Sequence, residues 1–312
     1  MLTIAVDTMP KSTNFPDVSL APIHEYTDAP FRLLCQRHGC KASFVPLVNV
    51  TAATKGKLMP NISEFEKKVS VQLSGSKPEE FEESIKSIEK MFKNIDGFNI
   101  NAGCPSHTTM KTGAGSALMR NPETLAKIIK RCKESTSLPI SVKTRKFSDK
   151  ERSIEFYRKI EKAGADYLII HGRTVKQYYG GEADWDIIRT ANEESSLPVI
   201  GNGDVKDLSG AKSRISERFC SGVMIGRAAL QNPMLFERKN NLSDGEKKKL
   251  VFEYYEICKE LDVTDLKDVK LVSTQLLKGV NNASKMRNTI MKSKKVSDLM
   301  VLIDNWLGDT KE

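Results

Sequence analysis

A glycine-rich segment, Asn101–Gly115, contains the most informative cysteine of the sequence. The segment reads NAGCPSHTTMKTGAG, so Cys104 stands between Gly103 and Pro105. A thiol in such a loop can donate a proton, attack as a thiolate, or remain an inert buried cysteine. The residue alone does not decide among these three roles, so its neighbours in the fold must.

Polar residues recur where short apolar runs of the sequence end. Alone, each has a structural explanation, because a glutamine can cap a loop and a lone histidine is commonly a satisfied core residue. Their recurrence at the same end of successive runs favours one shared site. The residues concerned are Gln72, Asn99, Asn101, Lys143, His171, Asn202 and the pair Gly226-Arg227.

The types of these residues indicate a phosphate and an electron-rich ring. The segments Gly201–Asp204 and Gly226-Arg227 follow the last two runs, where barrel enzymes bind phosphate with backbone amides and an arginine. Lys143 would place a positive charge beside a cofactor that becomes anionic on reduction. The other run ends show no carboxylate pair for hydrolysis and no His/carboxylate cluster, so we expect no metal. The combination indicates flavin mononucleotide (FMN).

Eight short apolar or β-branched runs must position these residues, and amphipathic stretches with helix signals separate them. Such alternation predicts parallel strands with right-handed crossovers and, for eight units, a closed (β/α)8 TIM barrel. An open doubly wound sheet is the alternative, but the first turn lacks a G-x-G-x-x-G fingerprint. The runs are Val18–Ala21, Ser43–Val48, Val69–Leu73, Gly97–Asn101, Ile140–Lys143, Tyr167–Ile170, Val199–Gly201 and Gly222–Ile225.

The pattern changes near Asn240, beyond which only helical periodicity continues. We therefore predict a catalytic barrel over residues 1–240 and a small all-helical C-terminal domain over residues 241–312. Residues 269–297 hold seven basic and no acidic side chains. Such a run is usually a solvated helix face, but one basic side is also what docking onto an RNA backbone requires. The predicted helices are Glu246–Leu261, Leu271–Val280, Ala283–Met291 and Val296–Leu307.

Charge and cysteine usage indicate the kind of partner and the compartment to expect for the protein. The 312 residues carry 49 Lys and Arg against 40 Asp and Glu, a formal charge of +9, which favours a polyanionic partner. The six cysteines form no C-x-x-C pair, which is typical of a reducing compartment. The N-terminus has no signal-peptide pattern and no run approaches the ~20 apolar residues of a membrane span. We expect a cytoplasmic monomer without membrane contact.

Taken together, the motifs resemble the dihydrouridine synthases, flavoenzymes that reduce uridine in tRNA. The matching segments follow the family order over most of the predicted barrel, and the tail is similar to the family's helical RNA-binding domain. The segments are APIHEYTDAPFR from Ala21, VQLSG from Val71, NINAGCP from Asn99, GAGSAL from Gly113, SVKTR from Ser141, IHGRT from Ile170, Asp184-Trp185, IGNGD from Ile200 and GVMIGR from Gly222.

The resemblance implies roles for individual residues. NADPH, or NADH, would reduce FMN, hydride would pass to uracil C6, and Cys104 would protonate C5 as general acid. Asn101, Arg145 and Arg173 would bind the uracil, and the tail residues Lys285 and Arg287 would contact tRNA. The residues implied to hold FMN are Pro22, Ile23, Gln72, Lys143, His171, Asn202, Gly203, Asp204, Gly226 and Arg227.

Departures from the family pattern lie at two places in the predicted barrel and at one in the tail, where Thr274-Gln275 stands in place of common aromatics. Ile23-His24-Glu25 stands where the family usually has Met-Ala-Gly, which adds bulk and charge near the cofactor. Thr108 stands where the family usually has a lysine, so the contacts of that loop differ. Two other functions remain open: a dihydroorotate-dehydrogenase-like FMN oxidoreductase acting on a free pyrimidine, and a non-catalytic RNA-binding module.

Overall fold

Eight parallel strands alternate with helices along the chain. The computed structural model describes residues 16–308, so the segment whose sequence lacks a signal-peptide pattern, residues 1–15, lies outside the described residues. All eight predicted strands are present. They are β1 Val18–Leu20, β2 Ser43–Asn49, β3 Val69–Ser74, β4 Ile95–Ala102, β5 Ile140–Lys146, β6 Tyr167–Thr174, β7 Val199–Asn202 and β8 Gly222–Ile225.

The strands form a nearly closed barrel. Their order in the sheet is β1-β8-β7-β6-β5-β4-β3-β2, and every pairing is parallel. The remaining edge is bridged where Leu20 N donates to Ala42 O at 2.9 Å, directly before β2. The predicted (β/α)8 TIM barrel is confirmed, and the open doubly wound alternative is wrong because sheet order follows chain order around a ring.

Helices surround the barrel and bury their apolar faces against the strands. The helix that begins at Pro122 is capped by Asn121, whose Oδ1 accepts a hydrogen bond from Thr124 N. The helix that begins at Pro78 has Lys77 at its cap position, and Ser76 Oγ donates to Thr112 O at 2.8 Å. The helices are α1 Ala29–Arg37, α2 Val50–Thr54, α3 Pro78–Met91, α4 His107–Lys111, α5 Pro122–Ser135, α6 Lys150–Lys162, α7 Trp185–Glu194, α8 Leu208–Ser216 and α9 Arg227–Gln231.

Strands β4, β5 and β6 continue past their predicted ends. Lys143 and His171 were expected as the last residues of their strands, but β5 runs to Lys146 and β6 to Thr174. Because side chains alternate between the two faces of a strand, polar residues can follow one another on the inner face while apolar residues cover the outer face. An apolar run in the sequence therefore ends before the strand does.

A layer of large side chains fills the barrel interior below these polar residues. Tyr167 and Ile169 precede His171 on the same face of β6, and Ile200 precedes Asn202 on β7. With Phe44 and Met224 they form a buried cluster separate from the main core between strands and helices. The polar residues pack directly above this cluster in the barrel interior.

Four helices follow the barrel: α10 Asp244–Glu260, α11 Leu266–Leu276, α12 Ala283–Lys292 and α13 Val296–Gly308. Helix α10 begins with a capping box, in which Ser243 Oγ accepts from Glu246 N and the Glu246 carboxylate accepts from Ser243 N. Helix α11 begins five residues before its predicted start, because Asp265 caps it. The helical tail is thus present, while the exact domain division at residue 240 stays a prediction.

The tail packs directly on the barrel. Tyr254 of α10 donates a hydrogen bond to Asp28 Oδ2 at 2.6 Å, and both groups are largely buried. Lys267 of α11 forms an ion pair with Glu25, in the loop after β1, at 2.8 Å. Among residues 16–308 no helix is both long and apolar enough to cross a membrane.

Candidate active site

A cavity of about 1380 Å³ opens at the carboxyl ends of the strands. Pockets for small molecules usually measure about 300–1,000 Å³, so this one has room for a cofactor and a nucleotide base together. Every strand or the loop after it contributes to its wall. The cavity is lined by all the predicted cofactor residues and by the predicted Asn101, Cys104, Arg145 and Arg173.

Amide side chains of β3 and β4 form a buried chain of hydrogen bonds on one wall. Gln72 Nε2 donates to Asn99 Oδ1 at 2.7 Å, and Asn101 Nδ2 donates to Gln72 Oε1 at 2.8 Å. Asn99 Nδ2 in turn donates to Ser141 Oγ at 2.8 Å. These bonds fix the orientation of each amide, so the cavity presents donors and acceptors at defined positions.

The same Asn101 side chain holds the backbone of the cysteine loop. Its Oδ1 accepts from Gly103 N at 3.2 Å and from Cys104 N at 3.0 Å. Ser116 N donates to Cys104 O at 3.0 Å from the other side of the loop. Cys104 is half-buried at the cavity wall, whereas the other five cysteines are buried elsewhere. The thiol is therefore fixed in place and reachable from the cavity.

Lys143 reaches into the cavity from the inner face of β5. Its Nζ donates to Asn202 Oδ1 at 3.0 Å, and Asn202 Nδ2 donates to Met224 O at 2.8 Å. Burial, helped by the neighbouring Arg145, lowers the pKa of Lys143 to about 7. Because its hydrogen-bond partner here is an uncharged amide, an anionic ligand would favour the charged form of this lysine.

Asp204 joins two arginines at the end of β7. Arg173 Nη2 donates to its Oδ2 at 2.7 Å, and Arg227 Nη2 to its Oδ1 at 3.1 Å. Burial alone would raise the pKa of Asp204, but the hydrogen bonds from Ala183 N and Arg173 outweigh it and lower that pKa. His171 stands beside these cations, and burial followed by the charge of Lys143 lowers its pKa to about 2, so the imidazole is neutral.

Comparison with known proteins identifies the family to which this chain belongs. The family model for dihydrouridine synthase (Dus) matches residues 19–304. A protein named "tRNA-dihydrouridine synthase B" from Pasteurella multocida is 32% identical over 76% of this chain and 72% of its own. A protein named "Probable tRNA-dihydrouridine synthase" from Aquifex aeolicus is 29% identical over 92% of this chain and 95% of its own. The chain belongs to the dihydrouridine synthase family.

The family model extends from β1 into α13 of this dihydrouridine synthase, so membership concerns the barrel and the tail together. This chain is accordingly an FMN-dependent oxidoreductase. The solved structure of TcOYE with pHBA shares the fold, with a TM-score of 0.51 and 13% identity over 71% of this chain and 88% of that one.

The donor set of the cavity fits FMN. Lys143 and the amides of Gln72 and Asn202 offer hydrogen-bond donors for an electron-rich ring, and Arg227 offers a guanidinium half-exposed to solvent for a phosphate. Within residues 16–308 no three His, Cys, Asp or Glu side chains come together as metal ligands.

The structure separates the predicted residues of this dihydrouridine synthase into two groups. Fourteen line the cavity, whereas three do not: Asn99, which accepts a hydrogen bond from Gln72, and Lys285 and Arg287, which are exposed on α12. Other basic residues do line it, including Arg214 of α8, Lys247 of α10 and Lys278 after α11. Lys247 and Lys278 belong to the tail, so only the packing of the tail on the barrel brings these two to the cavity.

Proposed function

We propose that this dihydrouridine synthase reduces the C5–C6 double bond of uridine in tRNA, with NADPH or NADH as reductant. The proposal rests on the observation that Cys104 and Lys143 lie on the wall of one cavity. The hydrogen-bonded amides of Gln72 and Asn101 connect the barrel to the cysteine loop. Bound FMN would supply a hydride to C6 of the uracil after its reduction by the nicotinamide dinucleotide.

Cys104 supplies the proton at C5 in this proposal. Its backbone is held from both sides, by Asn101 and by Ser116, so the thiol keeps its place on the cavity wall. Transfer of the thiol proton to C5 completes the reduction and leaves a thiolate, which regains a proton from solvent. The side chains of Lys143 and Arg145 interact electrostatically with Cys104.

Asn101 and Arg145 bind the uracil. Arg145 donates hydrogen bonds through Nε to Gly103 O and through Nη1 to Thr174 O and Tyr178 O. These bonds leave Nη2 for the substrate. Arg173 is assigned to the uracil by resemblance alone, and its buried guanidinium already serves Gly180 O, Gly181 O and Asp204. We therefore propose Arg145 as the principal cation for substrate and Arg173 as the residue that orients Asp204.

The uracil can enter this cavity only after leaving its stack in the folded tRNA. Enzymes that act on a base usually extrude the whole nucleotide, at a cost of a few kcal/mol that backbone contacts elsewhere repay. The exposed Lys285 and Arg287 of α12 lie on the tail, where phosphates of the tRNA would make such contacts.

The replacement Cys104→Ala tests the proposal. We expect the variant to retain FMN and its reduction by NADPH, and to lose uridine reduction by about 10²- to 10⁴-fold, because a general acid contributes that much. Dihydrouridine formed in unmodified tRNA is the measurement. Cys132→Ala, at a buried position on α5, is the matched control and should stay active. Full activity of Cys104→Ala would contradict the acid assignment, and a free pyrimidine reduced as fast as tRNA would contradict the substrate.

A further inference from the structure

The thiol of Cys104 has a partner behind the cavity wall. Its Sγ lies 3.7 Å from Thr109 Oγ1, within hydrogen-bond reach for sulfur. Thr109 belongs to the short helix α4 and is half-buried. Cys104 lines the cavity whereas Thr109 does not. A hydroxyl in this position contacts the thiol without contacting a bound substrate.

The loop holds these two residues together. Gly115 has a φ of +60°, and a Cβ added there would lie 2.8 Å from Thr109 Cγ2 and 2.9 Å from Cys104 O. A glycine is thus required at the point where both residues meet the returning chain. With Asn101 and Ser116 fixing the backbone of Cys104, the pair is constrained from three directions.

A threonine hydroxyl can accept one hydrogen bond and donate another. It therefore accepts from the thiol before proton transfer and, after rotating about its C–O bond, donates to the thiolate that remains. Lys143 and Arg145, on β5, are the charged groups that act on the sulfur from the cavity side. A hydrogen bond to a charged group contributes more than one between neutral groups, so the thiolate gains more than the thiol.

We propose that Thr109 is a positioning residue for Cys104, which orients the thiol before proton transfer and stabilises the thiolate after it. The inference rests on the proposed role of Cys104 as the proton donor. The proton passes from sulfur to C5 and returns to sulfur from solvent, so Thr109 neither gains nor loses a proton over a turnover.

Alkylation of the holoenzyme by iodoacetamide tests the contact without tRNA. Only Cys104 should react at an appreciable rate, because the other five cysteines are buried. In Thr109→Val, which keeps the shape and removes the hydroxyl, we expect the midpoint of the pH profile of alkylation to rise by about half a pH unit to one unit, a threefold to tenfold loss of thiolate at a given pH. Thr109→Ser keeps the hydroxyl and should match the wild type.

Turnover provides the second measurement. The value of kcat for uridine reduction in Thr109→Val should fall by about threefold to tenfold, with KM for tRNA and the flavin spectrum unchanged. An unchanged alkylation midpoint in Thr109→Val, or an equal shift in Thr109→Ser, would overturn the inference. Failure of the proposed function would be seen separately, as full activity in Cys104→Ala.

Discussion

At the scale of single residues, Lys143 combines burial with a hydrogen bond to an uncharged amide. In water a lysine holds its proton to a pH of about 10, and in this cavity burial and Arg145 lower its pKa to about 7. A buried lysine of this kind lowers the stability of the folded protein, but it makes a positive charge available to a ligand. A negatively charged ligand in the cavity would stabilise the protonated form of this lysine.

Lys143 should therefore leave a signature in the stability of the apoprotein. Between about pH 7 and about pH 10 the unfolded chain binds a proton at this lysine that the folded chain does not, so the free energy of unfolding rises with pH. The slope is at most about 1.4 kcal/mol per pH unit. In Lys143→Met, urea unfolding across this range should show a flatter profile. Parallel profiles for the two proteins would contradict the lowered pKa.

The sequence identified the types of the site residues, but not their partners. Asn101, Cys104 and Lys143 stand out because polar residues are unusual at such places, and all three line the cavity. The contact between Cys104 and Thr109 depends on the fold of the loop after β4, which has no periodicity to detect. The two arginines on Asp204 come from β6 and from the first residue of α9, so only the closed barrel brings them together.

At the scale of elements, the strands were predictable and the cysteine loop was not. Each strand begins within two residues of its predicted start, because β-branched and apolar residues on the outer face mark it. The loop after Cys104 folds into α4 and a 3-10 helix over Gly115–Arg120. Both are short and polar or glycine-rich, so tertiary contacts rather than local propensity determine them.

The glycine at the base of this loop offers a direct test. Gly115→Ala places a Cβ within 3 Å of Thr109 and of Cys104 O, so we expect a loss of uridine reduction and a lower melting temperature. Gly56→Ala is the matched control, because Gly56 has a similar φ of +65° and open space around the added Cβ. Left-handed backbone alone costs about 1–2 kcal/mol in either variant. Equal losses of activity in both would show that displacement of Cys104 is not the cause.

At the scale of the whole molecule, one histidine links the barrel to the tail. His38, after α1, contacts Glu237 Oε1 through Nδ1 at 2.8 Å and Glu253 Oε2 of α10 through Nε2 at 3.0 Å. The hydrogen bond to Glu253 outweighs burial and raises the pKa of His38. Two carboxylates from different elements thus contact one imidazole ring.

This link should weaken as pH rises. Because the folded pKa of His38 is raised, its contribution is fully present below the unfolded value of about 6.5 and is lost as pH rises through the folded value. Between pH 6 and pH 9 we expect the free energy of unfolding to fall more in the wild type than in His38→Gln, by up to about 1 kcal/mol. Thermal unfolding at several pH values measures the difference. A larger loss in the variant would contradict the sign of the shift.

The charge of the molecule is unevenly distributed in a way that concerns tRNA. The tail, residues 241–312, holds 13 basic and 12 acidic side chains, so it is nearly neutral as a whole. Eight of its acids and five of its bases precede Val269, whereas residues 269–297 hold seven bases and no acid. This segment gives the tail a basic side, which can orient a polyanion although the net charge is small.

If tRNA docks on that basic side, removing its charge should change the salt dependence of binding more than the same change elsewhere. Replacing Lys285, Arg287 and Lys292 with Ala should lower the slope of log K against log[salt] by up to about 2 to 3, because each phosphate contact contributes about 0.7–0.9. Lys127, Lys130 and Lys150, exposed on the outer helices α5 and α6, form the matched control triple. Since both triples remove three charges, an equal change in slope would mean that bulk charge, not the α12 face, binds tRNA.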